Sequence, residues 1–211
     1  KSKSILVTGA GGSIGSELCR QIIRLKPNKL VLLELNEFAL YKIYEELIAY
    51  DKNQKIISLL VDTKNESKLK IIFETFNVNT VYHTAAYKHV PLVEENICAG
   101  VENNVFSTLA VARASLNKKV SSFVLISSDK AVRPTNIMGA TKRLSELIVQ
   151  AFAEKISKEK KQGTIFSMVR FGNVLDSSGS VVPTFKKQIK AGGPITLTHK
   201  EIIRYFMTIP E

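Results

Sequence analysis

Short apolar runs recur along the chain, each closing on a glycine or a polar residue and followed by apolar positions at the three- and four-residue spacing of a helix. The runs are Ile5-Leu6-Val7, Leu30-Val31-Leu32-Leu33, Ile56-Ile57-Ser58-Leu59-Leu60-Val61, Thr80-Val81-Tyr82-His83, Phe123-Val124-Leu125-Ile126 and Ile165-Phe166-Ser167-Met168-Val169. Runs without alternation read as strands covered on both faces, as in a parallel sheet. Between them, Glu17 to Ile23 and residues 101–116 have helical spacing, and Leu144, Leu147, Ile148 and Phe152 predict a helix that packs these side chains into the core. Strands alternating with helices through six cycles predict an α/β fold, a doubly wound parallel sheet with its ligand at the strand carboxyl ends. Later the rhythm breaks: the polar, glycine-bearing segment from Asp176 to Ser180 and the short apolar pieces after it predict a substrate lid.

The first run enters Thr8-Gly9-Ala10-Gly11-Gly12-Ser13-Ile14-Gly15, which leads into the first helix. Strand, glycine turn and helix make a dinucleotide cradle. Gly9 permits the tight turn, Gly12 lets the backbone approach a pyrophosphate, and Gly15 lets the helix sit close to the strand. Ser13 and Ile14 open the helix, whose N-terminus faces the phosphates. The second run ends in Glu34, close to the roughly 20-residue offset of an acid that holds the adenosine ribose. Glu34 accepts from both ribose hydroxyls and repels a 2′-phosphate, and no arginine follows it directly, so NAD is favoured, with NADP as second choice. The third run ends in Asp62, with Thr63 next; the Asp62 carboxylate either takes the adenine amino group or caps a helix before Lys64-Asn65-Glu66. After the fourth run, Ala85 and Ala86 suit close passage of the cofactor, which points Lys88 and His89 at whatever lies beyond the nicotinamide. His89 is a substrate candidate on position alone, and His83 is expected as a core histidine. The Asn103-Asn104 pair interrupts an apolar helix face, so one of the amides is expected to hydrogen-bond inside the fold, and Asn104 is grouped with the cofactor contacts.

The fifth run leads into Ser127-Ser128-Asp129-Lys130, polar residues that emerge where a strand end meets the crevice. Pro134 stops extended structure, and Asn136 is a plausible N-cap for a helix from Ile137. Met138 and Lys142, four apart, share one face of it. Asp129-Lys130, a carboxyl beside an ammonium in the cleft, is a candidate acid–base pair, with a surface ion pair as the alternative.

A chain of 211 residues with 45% hydrophobic content holds one substantial core. The net charge of +11 raises nucleic acid as a partner. The lysines are scattered, however, and the run Lys158-Glu159-Lys160-Lys161 is broken by an acid, so no nucleic acid is expected; an anionic small substrate or an acidic membrane surface would use the same charge. The two cysteines, Cys19 and Cys98, lie far apart without metal-ligand spacing. No metal is expected, and both read as buried thiols in a reducing, cytoplasmic compartment. No apolar run approaches the roughly 18 residues of a membrane span. Lys1-Ser2-Lys3-Ser4 enters a strand almost at once and Thr208-Ile209-Pro210-Glu211 stops without a closing element, so both ends read as cut.

With T-G-A-G-G-S-I-G at the start, S-S-D-K-A-V-R-P-T-N-I-M-G-A-T-K in the middle and R-F-G-N-V-L after it, the chain resembles the extended short-chain dehydrogenase/reductases, which have the Rossmann fold. More narrowly it is similar to the polysaccharide-biosynthesis branch of UDP-N-acetylglucosamine 4,6-dehydratases. The resemblance implies NAD(P)-dependent dehydration of a UDP-linked N-acetylhexosamine to a 4-keto-6-deoxy sugar for glycan synthesis. It implies an NAD-binding domain over residues 1–172 and an incomplete substrate-binding segment over 173–211, since family members continue further. It implies a homo-oligomer. Many long-form members carry a membrane-spanning N-terminal portion, which implies a full-length protein on the cytoplasmic face of the inner membrane. Substrate contacts are implied at Asn173 and Val181, and at the lid's candidate phosphate binders Thr196, Thr198 and Arg204. Met138 stands where most of the superfamily has the tyrosine of Y-x-x-x-K; a thioether cannot take a proton, and the long-form dehydratases are similar in carrying Met there.

In the implied chemistry hydride leaves C4, the ketone acidifies the C5 hydrogen, a base takes that proton while an acid helps the C6 hydroxyl leave, and hydride returns to C6. Lys130 is expected as the C5 base, its pKa lowered by burial near other cations, and Asp129 as the acid for the C6 oxygen. Lys142 is expected to hydrogen-bond the nicotinamide ribose, and Ser128 to orient the 4-hydroxyl, whose proton leaves through Asp129 or water. Competing expectations are a 4-epimerase or reductase of the same fold, and an NAD-binding module that lost catalysis with its tyrosine.

Overall fold

The computed structural model describes residues 3–159, 163–177, 180–197, 201, 203 and 205–211. The chain forms two compact units that divide between Arg170 and Phe171. The sheet strands are β1 (Ser4–Thr8), β2 (Lys29–Glu34), β3 (Ile56–Leu60), β4 (Thr80–His83), β5 (Ser122–Ser128) and β6 (Ile165–Phe171). Among the described residues they make a six-stranded sheet in the order β3-β2-β1-β4-β5-β6. β1 pairs in parallel with both β2 and β4. The winding reverses beside β1, and that reversal opens a crevice outside the carboxyl ends of the strands.

Successive side chains of the central strands enter opposite cores. Leu6, Val31, Leu33 and Val81 pack with α3 (Glu66–Phe76) and α6 (Ser107–Asn117) on one face. Val7, Leu30 and Leu32 pack with α1 (Ser13–Arg24) and α2 (Glu37–Tyr50) on the other. Each such side chain contributes roughly 1.5–3 kcal/mol of burial. Removing the Phe73 ring, 2% exposed in the first core, would cost about 3–5 kcal/mol. Cys19 lies in the second core, where burial pushes its thiol well above the ordinary range. Cys98 is exposed, contrary to the expectation of two buried thiols, because it sits in a five-residue helix, α5 (Ile97–Val101), that covers little.

The caps explain where helices begin. Asn36 and Asn65 accept from Ala39 N and Lys68 N at the starts of α2 and α3. α7 (Ile137–Glu159) starts at Asn136, whose Oδ1 accepts from Gly139 N at 2.8 Å, as the sequence predicts. A second acceptor, Glu94 Oε1 from α4 (Val90–Glu95), takes the Ile137 N–H at 2.6 Å. The inward face of α7 differs from expectation. Met138, Thr141, Lys142, Ser145, Glu146 and Val149 are buried, whereas Leu144 and Leu147 are 46% and 42% exposed; of the four apolar residues only Ile148 and Phe152 pack on the core. The helix predicted over 101–116 is two helices, α5 and α6, joined by a π-helical turn over Glu102–Phe106.

The second unit holds β7 (Asn173–Val174), α8 (Val181–Lys190) and β8 (Phe206–Met207), with β7 and β8 paired in parallel. Among the described residues no helix is long and apolar enough to cross a membrane, and no cluster of three His, Cys, Asp or Glu side chains could hold a metal ion.

Candidate functional site

The glycine turn after β1 is shaped by what its glycines leave out. Gly9 has φ +63°, and a Cβ there would lie 2.8 Å from the Ala85 backbone. A Cβ on Gly15 would strike the Gly9 carbonyl, so α1 sits directly on the turn. Gly12, the N-cap of α1, is different: a Cβ there would meet only Gly9 O, at 3.3 Å, and otherwise open space. The first N–H groups of α1 are thus reachable from the crevice.

A cavity of about 310 Å³ opens beside this turn, with Gly9, Gly12, Glu34, Asp62, Ala85 and Ala86 on its walls. Thr63 lines it too, its hydroxyl bonded to Ser107 Oγ at 2.7 Å. Glu34 is held by three backbone donors: Gly11 N at 3.0 Å on one oxygen, Leu35 N at 2.9 Å and Asn36 N at 3.1 Å on the other. Its remaining lone pairs suit the hydroxyls of a ribose. Asp62 caps no helix, since Asn65 does that; it accepts from Lys64 N at 2.9 Å and faces Lys64 Nζ at 3.6 Å. The missing Cβ of Gly12 and the fixed Glu34 carboxylate fit the pyrophosphate and adenosine ribose of a dinucleotide. Ser13, Ile14 and Gly15 belong to the first turn of α1.

Asn104 does not fit the role expected of it. Its Oδ1 accepts from Tyr87 N at 2.7 Å, and its Nδ2 donates to Tyr87 O at 3.0 Å and to Thr141 Oγ1 at 2.9 Å. With both ends of the amide taken by protein, it clamps the loop after β4 to α7 rather than touching a cofactor. It is the end of a buried network. Thr108 Oγ1 donates to Asn104 O at 2.7 Å and so accepts from His83 Nε2 at 3.1 Å, leaving His83 Nδ1 to accept from Thr8 Oγ1 at 2.7 Å. Burial, with the charge of Lys142, brings the His83 imidazole down to about 3, so it stays neutral, a core histidine as expected.

The clamped loop presents Lys88 and His89, the latter an exposed N-cap residue of α4. Opposite, Ser128 closes β5 and opens a 3₁₀ turn over Asp129–Ala131. Ser128 Oγ accepts from Lys130 N at 3.2 Å and donates to Asp129 Oδ1 at 2.9 Å; Lys130 Nζ donates to the same oxygen at 2.9 Å. Partial burial opposes ionisation of Asp129, but the bonds from Lys130 and Ser128 outweigh it and hold the carboxyl below its usual range. Lys130 is not buried as expected: its side chain is 34% exposed and paired with Asp129. Burial, and then the charge of Lys130, lowers the Lys88 ammonium, which brings the ends of β4 and β5 into one electrostatic site.

α7 lies directly against this turn, because a Cβ on Gly139 would strike the Lys130 carbonyl. Along the same helix Met138 is 3% exposed, and Lys142 Nζ donates to Ile126 O at 2.6 Å. Burial brings the Lys142 ammonium down to about 8, with Glu146 opposing the fall. Glu146 was not singled out from sequence, nor were its partners Ser127, Arg143 and Arg170. A glutamate four residues after Lys142 on the inward face was the available signal.

In the second unit, Asn173 N donates to Tyr205 O at 3.1 Å, and Val181 is the first residue of α8. Thr196 is fixed by Gln188, which accepts from its N–H at 3.1 Å and donates to its hydroxyl at 2.8 Å. Thr198 and Arg204 lie outside the described residues.

A family model described as polysaccharide biosynthesis protein matches residues 5–211. The capsular polysaccharide biosynthesis protein CapD of Staphylococcus aureus is 49% identical over 211 residues, covering 100% of this chain and 34% of CapD. A UDP-N-acetylglucosamine 4,6-dehydratase (inverting) of Campylobacter jejuni is 32% identical over 99% of this chain and 60% of its own. A UDP-glucose 4-epimerase of Rickettsia rickettsii is also 32% identical, over 98% of this chain and 59% of its own. The solved structure of Pen from Bacillus thuringiensis matches with a TM-score of 0.90 and 36% identity, over 99% of this chain and 64% of that one. The chain therefore spans about a third of CapD and about three fifths of the other two relatives. By its family model, the chain belongs to the polysaccharide biosynthesis protein family.

Proposed function

We propose that this chain carries the dinucleotide site and the acid–base pair of a UDP-N-acetylhexosamine 4,6-dehydratase, of the long-form type with methionine in the tyrosine position. The observation that carries the reading is the Asp129–Lys130 pair, bonded at 2.9 Å at the end of β5 and seated against α7 by Gly139. An epimerase needs one proton acceptor at C4, whereas a dehydratase needs an acid and a base side by side at C5 and C6.

Gly12 and the N-terminus of α1 would hold the pyrophosphate of NAD, Glu34 and Asp62 its adenosine, and Lys142 its nicotinamide ribose. Glu34 leaves no room for a 2′-phosphate beside its charge, which favours NAD over NADP. When bound, NAD supplies reversible acceptance of hydride, taken from C4 of the sugar and returned to C6. Everything else falls to side chains.

The pair enters the cycle with Lys130 as a neutral amine and Asp129 as the carboxylate that its bonds from Lys130 and Ser128 favour. Met138 can take no proton, so the 4-hydroxyl proton, released as hydride leaves C4, passes through Ser128 to Asp129, directly or by way of water. Lys130 takes the C5 proton, and Asp129 gives its proton to the C6 oxygen, which leaves as water as the C5–C6 double bond forms. When hydride returns to C6, the Lys130 ammonium, whose 34% exposed side chain exchanges protons with solvent, returns one to C5, and the pair is again an amine and a carboxylate. Lys88 and His89, with Asn173, Val181, Thr196, Thr198 and Arg204 of the second unit, are the proposed substrate contacts. The active protein is proposed to be a homo-oligomer in the cytoplasm, on the inner face of the membrane in its full-length form.

The test is to incubate purified protein with NAD and UDP-N-acetylglucosamine and follow the sugar by mass and proton NMR. A product lighter by one water supports the reading. A sugar of unchanged mass but altered C4 configuration would select the epimerase reading, which the Rickettsia relative keeps open. NAD binding with no change in any UDP-hexosamine would leave a binding module.

A further inference from the structure

We propose that Glu146 is the positioning residue of the reacting end: it locks Ser127, and with it the Ser128–Lys130 turn, against α7 in register with Lys142. The proposal deepens the dehydratase reading, and its kinetic arm rests on that reading. Glu146 is completely buried, yet it accepts four hydrogen bonds: from Ser127 Oγ at 2.6 Å on β5, from Arg170 Nε and Nη2 at 2.7 and 2.6 Å on β6, and from Arg143 Nη1 at 3.1 Å on its own helix. Burial opposes its ionisation, but these donors outweigh it and hold the carboxyl down at about 2. Simple packing of α7 on the sheet would be met more cheaply by an apolar side chain, since removing a carboxylate from water costs several kcal/mol before any donor repays it. What an ionic clamp adds is direction.

That direction is legible along α7. Gly139, Lys142 and Glu146 are spaced by three and four residues on one face, and each is tied to the end of β5: Gly139 by close approach to Lys130 O, Lys142 to Ile126 O, and Glu146 to Ser127 Oγ. The stripe is a ruler against which the catalytic turn is set. The charged groups facing Glu146 are Lys142 and Arg143 on α7 and Arg170 on β6; those facing Lys142 are Glu146 and, from β4, the neutral His83.

The test uses the full chain and two variants, Glu146→Gln and Ser127→Ala. It reads kcat and KM for water loss, NAD affinity, melting temperature, and the titration of the Lys142 ammonium by NMR of labelled lysine. In Glu146→Gln, kcat should fall roughly 10- to 100-fold, the range expected when a reacting group is misplaced by an ångström, with KM and NAD affinity within about twofold. The Lys142 midpoint should move down from about 8, because the charge that props it up is gone. In Ser127→Ala, kcat should fall about tenfold while the Lys142 midpoint stays. Wild-type kcat and an unmoved Lys142 midpoint, with only the melting temperature lowered, would overturn the proposal and leave Glu146 a packing residue. If Glu146→Gln does not fold, wild-type kcat in Ser127→Ala overturns it alone. If the wild-type chain removes no water from any UDP-hexosamine, it is the reaction that fails; the NMR shifts of the Ser127–Lys130 turn in Glu146→Gln then decide the role of Glu146, displaced shifts supporting it and unmoved shifts leaving a packing residue.

Discussion

At the glycine turn the groups offered to a ligand are backbone N–H bonds and one carboxylate, and what makes room for the ligand is the missing Cβ of Gly12. At the end of β5 they are side chains, and each is tied to another group of the protein: Asp129 to Ser128 and Lys130, Lys142 to the backbone Ile126 O, Ser127 to Glu146. Binding can therefore be lost at the first region by adding atoms without disturbing the charges of the second. Chemistry can be lost at the second by removing charge without touching the first. One link between the two regions is the buried Thr8–His83–Thr108–Asn104 network, which is neutral throughout.

The sharpest way to break this contrast is Lys130→Ala. Water loss should fall about 10²- to 10⁴-fold, the usual worth of a positioned acid or base, while NAD affinity by fluorescence titration stays within about twofold. A matching loss of NAD binding would merge the two regions. Next in size is a pair of glycine changes. Gly12→Val should weaken NAD binding at least about tenfold, near 1.4 kcal/mol, and move the urea midpoint far less than Gly15→Ala, because the one atom its Cβ meets within 4 Å is Gly9 O, at 3.3 Å. Gly15→Ala should instead cost about 1–3 kcal/mol of stability in the same urea titration, since its Cβ runs into the Gly9 carbonyl.

The third prediction concerns pH. Lys142 titrates at about 8 in the fold against 10.5 for a free lysine, so between these values the unfolded chain binds more protons and stability rises with pH. The cost of holding the buried ammonium, of order 3 kcal/mol, is fully present below about pH 8 and gone above about 10.5. Lys142→Met should remove that slope, and the difference between variant and wild type in urea midpoints across this window measures it. A parallel slope in both would mean the ammonium is not desolvated. The smallest effect is expected at Asp62→Asn, about two- to threefold in NAD affinity, because Asp62 is 40% exposed and its charge is already shared with Lys64.

The first region was almost wholly legible in sequence, and the second only in part. Glycine spacing, Glu34 and the Asn136 cap are local signals: each acts on backbone within a few residues, or at an offset the βαβ unit sets. Helical periodicity found α7 but misjudged its faces. It assigned Leu144 and Leu147 to the core, whereas the inward stripe at the site is Lys142, Ser145 and Glu146, polar residues whose partners come from β5, β6 and the π-helical turn. Those partners lie 19, 24 and 41 residues away, and nothing in a periodic pattern reports them. Asn104 was half-read for the same reason: the need of a buried amide for partners was visible, but their identity, Tyr87 and Thr141, was not. Lys130 was expected to be buried, and it stays partly exposed because the 3₁₀ turn carries it out of the strand end.

The central claim, that Lys130 removes the C5 proton while Asp129 completes the loss of water, is tested most directly by running the reaction in heavy water and reading C5 by proton NMR. The account predicts full deuteration at C5 in the wild-type product and none above background with Lys130→Ala. A dehydrated wild-type product that keeps its original hydrogen at C5, or undiminished deuteration without Lys130, would contradict it.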